Sequence, residues 1–107
     1  MLELDKETFE QEVLQAKDTV LVDFFSHACE PCMALMPTMQ AFSEKYGDKL
    51  KFTKLDIAKA RRMAISQKIL GIPVVAIYKD GGKLKELVKD DCTPENVEKM
   101  ILEYINN

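Results

Sequence analysis

The chain predicts one α/β domain, residues 1–107, built as a mixed β-sheet with helices on both faces. Three observations carry that expectation. Val20-Leu21-Val22-Asp23-Phe24-Phe25 is an almost continuous apolar run of strand formers, the pattern of a central strand covered on both sides. Helix-patterned stretches then alternate with strand-like ones, which is how parallel strands are joined. Asp80-Gly81-Gly82 is a hairpin signal, so the last strand pair should be antiparallel.

Met1 to Leu4 suits a short edge strand. Asp5 is a plausible N-cap for a first helix with Phe9, Val13 and Ala16 on one face. After the Val20–Phe25 strand, a second helix is expected from about Cys32 to Tyr46, with Leu35, Met36, Met39, Phe42 and Tyr46 along one stripe. Pro37 falls inside it and should kink it, because proline removes a donor and crowds the preceding turn. Gly47-Asp48 should end it. Lys51 to Ile57 reads as a third strand, Ala58 to Lys68 as a helix, Val74 to Tyr78 as a fourth strand and Lys83 to Val88 as its hairpin partner. Thr93-Pro94-Glu95 is a helix start, with Thr as cap and Pro at the first helical position. Val97, Met100, Ile101, Tyr104 and Ile105 follow one face of that last helix. The order is β-α-β-α-β-α-β-β-α.

At 107 residues and 47% apolar, the chain is long enough for one core and too short for two. Its net charge of −3 is mild and its charges are interspersed, so no basic block argues for nucleic acid or an anionic membrane surface. No apolar stretch approaches bilayer length, and the N-terminus lacks the pattern of a signal peptide. A soluble, cytoplasmic protein, a monomer without nucleic-acid or membrane partners, is therefore expected. Three cysteines do not make a secreted disulfide framework.

The chemistry is concentrated in Cys29-Glu30-Pro31-Cys32, at the junction between the central strand and the second helix. Two cysteines at this spacing can bridge. The first stands at a helix N-terminus, where partial positive charge favours the thiolate that attacks disulfides. Cys29 is thus the candidate nucleophile and Cys32 the resolving thiol. The competing assignment is half a structural zinc site, but only Cys92 and His27 remain as conventional ligands, and His27 is awkwardly close to Cys29. Asp23 interrupts an apolar strand; if buried, its carboxyl is pushed up by desolvation and suits a base that takes the proton from Cys32. A solvent-facing aspartate at a strand edge is the alternative.

Val22-Asp23-Phe24-Phe25, the Cys29–Cys32 motif, Pro37, Lys54-Leu55-Asp56, Gly71-Ile72-Pro73 and Lys79-Asp80-Gly81 occur in an order that resembles the thioredoxin family over essentially the whole chain. The resemblance implies a five-stranded mixed sheet with four helices and general reduction of protein disulfides. It implies no bound cofactor beyond the redox-active Cys29–Cys32 pair, and a flavin-dependent thioredoxin reductase as electron donor. It also implies a base role for Asp23 assisted by Lys54, a cis bond before Pro73, and Ile72 as a backbone docking point for substrate, with Glu30 and Pro31 on the same surface. A glutaredoxin-like or isomerase-like protein with a narrow client is a second reading. A thioredoxin-fold subunit that only binds partners is a third, which the joint presence of both cysteines and Asp23 disfavours.

The chain departs from the family on the partner-facing surface. The usual string is Trp-Cys-Gly-Pro-Cys-Lys, whereas here it is Ala28-Cys29-Glu30-Pro31-Cys32-Met33, and the chain has no tryptophan. Lys89-Asp90-Asp91-Cys92 stands where a glycine is usual. Glu-Pro between the cysteines is similar to atypical thioredoxins of anaerobic bacteria that serve amino-acid reductases. A carboxylate beside Cys29, and the loss of a cation at Met33, should disfavour the thiolate and make the couple more reducing. The potential expected is at or below about −270 mV, the general value for thioredoxins rather than one derived from this chain. Exposure of Glu30 would make that shift modest. His27 is expected to be an exposed loop residue. Cys92 is expected near the active-site end, as a small buried hydrophobe or as an accessible thiol.

Overall fold

The computed structural model describes residues 1–105. Its five strands are β1 (Leu2–Leu4), β2 (Val20–Phe25), β3 (Lys51–Asp56), β4 (Val74–Lys79) and β5 (Gly82–Val88), in sheet order β1-β3-β2-β4-β5. β1, β3 and β2 run parallel; β4 and β5 complete the sheet antiparallel. The apolar run of β2 occupies the middle, and all six of its residues are buried.

The two-residue period of β2 divides the core. Val20, Val22 and Phe24 join Phe9, Val13, Ala64 and Tyr78 on one face. Leu21 joins Leu35, Met39, Val97, Met100 and Ile101 on the other. Asp23 and Phe25 share the parity of Leu21, so the carboxylate projects toward the side covered by the second and fourth helices.

Helix α1 (Lys6–Phe9) begins at the expected cap: Asp5 accepts the backbone N–H of Glu7 and Thr8, and Thr8 Oγ1 accepts the Asp5 N–H in return. The helix does not reach Ala16 as expected. It widens into a π-helical turn over Glu10–Leu14, where the Gln15 N–H reaches the Glu10 carbonyl. The Lys51 ammonium from β3 donates to the Glu12 carbonyl and so caps the end.

Helix α2 (Glu30–Tyr46) starts two residues before the expected position. Cys29 is its N-cap, and Pro31 falls in the first turn, where its missing N–H costs nothing. The helix passes through Pro37 as one element and ends at Gly47. Helix α3 is shorter than expected, Arg61–Ser66. Ahead of it the Asp56 carboxylate accepts the Ala58 N–H, and the Asp56 and Ile57 carbonyls take those of Lys59 and Ala60, which turns the chain. At its end Lys68 adopts φ 62°, and the Ile69 N–H returns to Ala64.

The β4–β5 hairpin turns on Asp80 (φ 52°) and Gly81 (φ 80°), the paired left-handed conformations that favour Asp-Gly. A Cβ on Gly81 would also meet the Leu14 carbonyl oxygen 2.7 Å away. Helix α4 (Pro94–Ile105) starts as expected, with Thr93 Oγ1 accepting the Asn96 N–H.

Candidate active site: a disulfide and a buried carboxylate

Cys29 and Cys32 form a disulfide, with Cα atoms 5.2 Å apart. The geometry follows from the local chain. Phe25 ends β2, the Cys29 N–H donates to the Ser26 carbonyl, and the Cys29 sulfur accepts the Cys32 N–H at 3.3 Å. A sulfur used as helix N-cap faces the unpaired N–H groups and the positive end of the α2 dipole. Burial separates the two sulfurs: Cys29 is half-buried, whereas Cys32 is 1% exposed.

Asp23 is 1% exposed and neither carboxylate oxygen has a hydrogen-bond partner. Desolvation pushes its carboxyl up to about 7, and the positive charge of Lys54 partly counters this. The two residues face each other in the β2–β3 register. The edge-strand alternative for Asp23 is thereby overturned: β2 is the central strand. The Lys54 ammonium itself lies 3.8 Å from Glu3 and 5.7 Å from the centroid of the Phe25 ring.

Ile72 and Pro73 precede β4, and the bond between them is cis. Because Val74 pairs with Phe24, they lie at the sheet end where β2 runs into the disulfide loop. Among the described residues the backbone N–H and C=O of Ile72 make no hydrogen bond. The Pro73 carbonyl, by contrast, accepts the Lys89 N–H at 2.7 Å.

Glu30 and Pro31 are exposed in the first turn of α2, and Met33 is 37% exposed. Ala28, at the place of the family tryptophan, is exposed as well. His27 is exposed as expected, but it has a partner the sequence did not suggest: its Nε2 is 3.7 Å from the buried Asp56 carboxylate, and its ring meets Phe25 edge-on.

Cys92 is half-buried and its sulfur faces two carbonyls, Leu87 at 3.2 Å and Pro73 at 3.5 Å. Burial pushes its thiol up to about 11; a Val75 backbone hydrogen bond works against this, while the charges of Asp23 and Asp91 push the same way. The contact between Cys92 and Pro73 joins segments 19 residues apart, and no local pattern could have shown it. Lys89 was also missed. It has φ 52°, and the end of its side chain lies over Gly71, where a Cβ would stand. The described residues hold no group of three or more His, Cys, Asp or Glu side chains placed for a metal ion. No described helix is long and apolar enough to cross a membrane.

The thioredoxin family model matches residues 1–103. The chain belongs to the thioredoxin family. It is 59% identical to a thioredoxin of Acetoanaerobium sticklandii, over 98% of this chain and 100% of that protein. It is 49% identical to a thioredoxin of Peptoclostridium acidaminophilum, over 98% and 96% of the two chains. A thioredoxin of Buchnera aphidicola is 34% identical over 91% of this chain and 96% of its own. The chain is accordingly a thiol-disulfide oxidoreductase. Thioredoxins use no cofactor apart from their active-site dithiol or disulfide; they act on protein disulfides and are normally reduced by a thioredoxin reductase.

Proposed function

We propose that this thioredoxin reduces protein disulfides with Cys29 as the attacking thiolate and Cys32 as the resolving thiol. The carrying observation is the asymmetry of the pair: Cys29 is reachable and caps a helix, whereas Cys32 is buried in the first turn. The Cys29 thiolate attacks one substrate sulfur, a Cys29–substrate disulfide forms, and the other substrate sulfur leaves as a thiolate that takes a proton. Cys32 then gives its proton to the Asp23 carboxylate and attacks the Cys29 sulfur. The Cys29–Cys32 disulfide closes, the second substrate thiol departs, and two electrons have moved to the substrate.

Asp23 suits the base role because a carboxyl with a pKa of about 7 is part ionised at neutral pH and close in affinity to the proton it must take. Lys54 holds that value down and so keeps the base form available. The unused backbone groups of Ile72 support pairing with an extended substrate segment, with cis-Pro73, Glu30 and Pro31 around it. A flavin-dependent thioredoxin reductase would return the electrons. Such a cycle needs a reducing compartment, which supports a cytoplasmic location.

The test is a redox titration in defined dithiol buffers, quenched by alkylation and analysed by intact mass. A single two-electron step confined to Cys29 and Cys32 is expected. Absence of any reversible step would overturn the proposal. The order of attack is checked by C32S, which should accumulate a mixed disulfide with an oxidised protein substrate, and C29S, which should not.

A further inference from the structure

A shallow groove of about 260 Å³ begins beside the disulfide loop, at Ser26 and Ile72, and runs along α3 between Ile57, Arg61 and Ile65. Ile65 is 61% exposed, while Ile57 and Ile72 are half-buried. At Ala58 and Arg61 it continues into a second depression of about 250 Å³, lined by Lys6, Lys59 and Arg62. An apolar channel that starts at the proposed docking residue therefore ends among four cations.

Those cations stand together and lack the ion pairs that five lysines elsewhere on the chain make. Lys45, Lys51, Lys54, Lys83 and Lys85 each lie within ion-pair distance of a glutamate. Among the described residues, Lys6, Lys59, Arg61 and Arg62 form no such pair, on a chain whose net charge is −3. Four positive charges are thus gathered at one end of the groove, none held by a carboxylate at ion-pair distance among the described residues. An apolar channel tolerates many sequences, whereas a cluster of unpaired cations discriminates by charge and raises the encounter rate of a complementary partner.

We infer that the α3 groove selects oxidised protein segments that carry apolar residues beside the disulfide and carboxylates a few residues farther along. The inference rests on the proposed dithiol function and names the substrate class of that same site. The apolar residues settle between Ile57 and Ile65, and the carboxylates meet Lys59, Arg61 and Arg62. The guanidinium groups suit carboxylates in particular, because their forked donors match the two oxygens.

The experiment compares two disulfide-bonded peptides with identical apolar residues beside the cysteines, one flanked by Asp and Glu, the other by Lys. Reduction of each is followed with the whole protein, and kcat/KM is taken as the ratio between them. At low ionic strength the acidic peptide should be reduced about five-fold or more faster, and the ratio should approach one in roughly 0.5 M salt. The R61E/R62E variant should invert the ratio. Because the ratio is taken within each variant, a general loss of activity does not imitate the effect, and K59E provides a milder second change in the same direction. Equal rates for both peptides, or a ratio insensitive to salt and to these substitutions, would overturn the inference while leaving the dithiol function intact. If neither peptide were reduced, the function itself would fail.

Discussion

Asp23 and Lys54 face each other across the parallel β2–β3 pair, yet the carboxylate accepts no hydrogen bond, and the ammonium lies near Glu3 and the Phe25 ring. The lysine therefore acts on the aspartate through its field. Burial is the larger influence, and the outcome is a carboxyl that titrates at about 7 inside the core.

This arrangement makes the charged form of Asp23 a burden on stability. The folded carboxyl holds its proton up to about pH 7, whereas the unfolded one loses it near 3.8. Between those values the folded state binds more protons, so the stabilisation from this group is present below pH 3.8 and is lost as pH rises to about 7. In D23N the loss disappears. Denaturant unfolding of the oxidised proteins should show D23N gaining on the parent as pH rises from 4 to 7, with an upper bound of about 4 kcal/mol. A difference independent of pH would contradict the buried, raised carboxyl.

The same residue should govern the resolving step. Release of substrate from the Cys29 mixed disulfide should speed up with pH as Asp23 ionises and level off above about 7. In D23N it should be slower by about 100-fold and lack that rise. In K54M the rise should move to higher pH, because the countering positive charge is gone. Rapid-mixing kinetics of the mixed disulfide across pH 5 to 9 would check all three.

Glu30 is exposed, so its effect on Cys29 is screened. Removing the charge in E30Q should stabilise the thiolate slightly and make the potential less negative by about 5–10 mV. The sign is the informative part: a shift to more negative values would show that Glu30 does not act through repulsion.

Cys92 should stay a neutral thiol at physiological pH, since burial holds it at about 11. Brief alkylation of the reduced, folded protein at pH 7 should label Cys29 and spare Cys92, while denaturation should expose both. Peptide mapping distinguishes the sites. Rapid native labelling of Cys92 would show its packing against Leu87 and Pro73 to be open.

Much of the architecture was legible because it is written in local pattern. The unbroken apolar run of β2 required cover on both faces, Asp80-Gly81 required a left-handed turn, and Thr93-Pro94 marked the start of α4. The boundaries that shifted were set by caps and turns that the apolar pattern does not show: the Lys51 ammonium of β3 donates to the Glu12 carbonyl in the last turn before Gln15, Cys29 caps α2, and the Asp56 carboxylate turns the chain before α3.

The active site divides in the same way. Two cysteines three residues apart, with a helix-permissive stretch behind them, by themselves determined where the disulfide lies and which sulfur caps a helix. Only the tertiary structure decided the ionisation of Asp23, because a pKa depends on the solvent that neighbours exclude, and those neighbours come from other strands and helices. It alone brought Cys92 and Lys89 against Pro73, and Lys6 toward Arg61, for the same reason. Contacts between segments far apart in the chain are products of how the sheet is ordered, and short-range spacing carries no record of them.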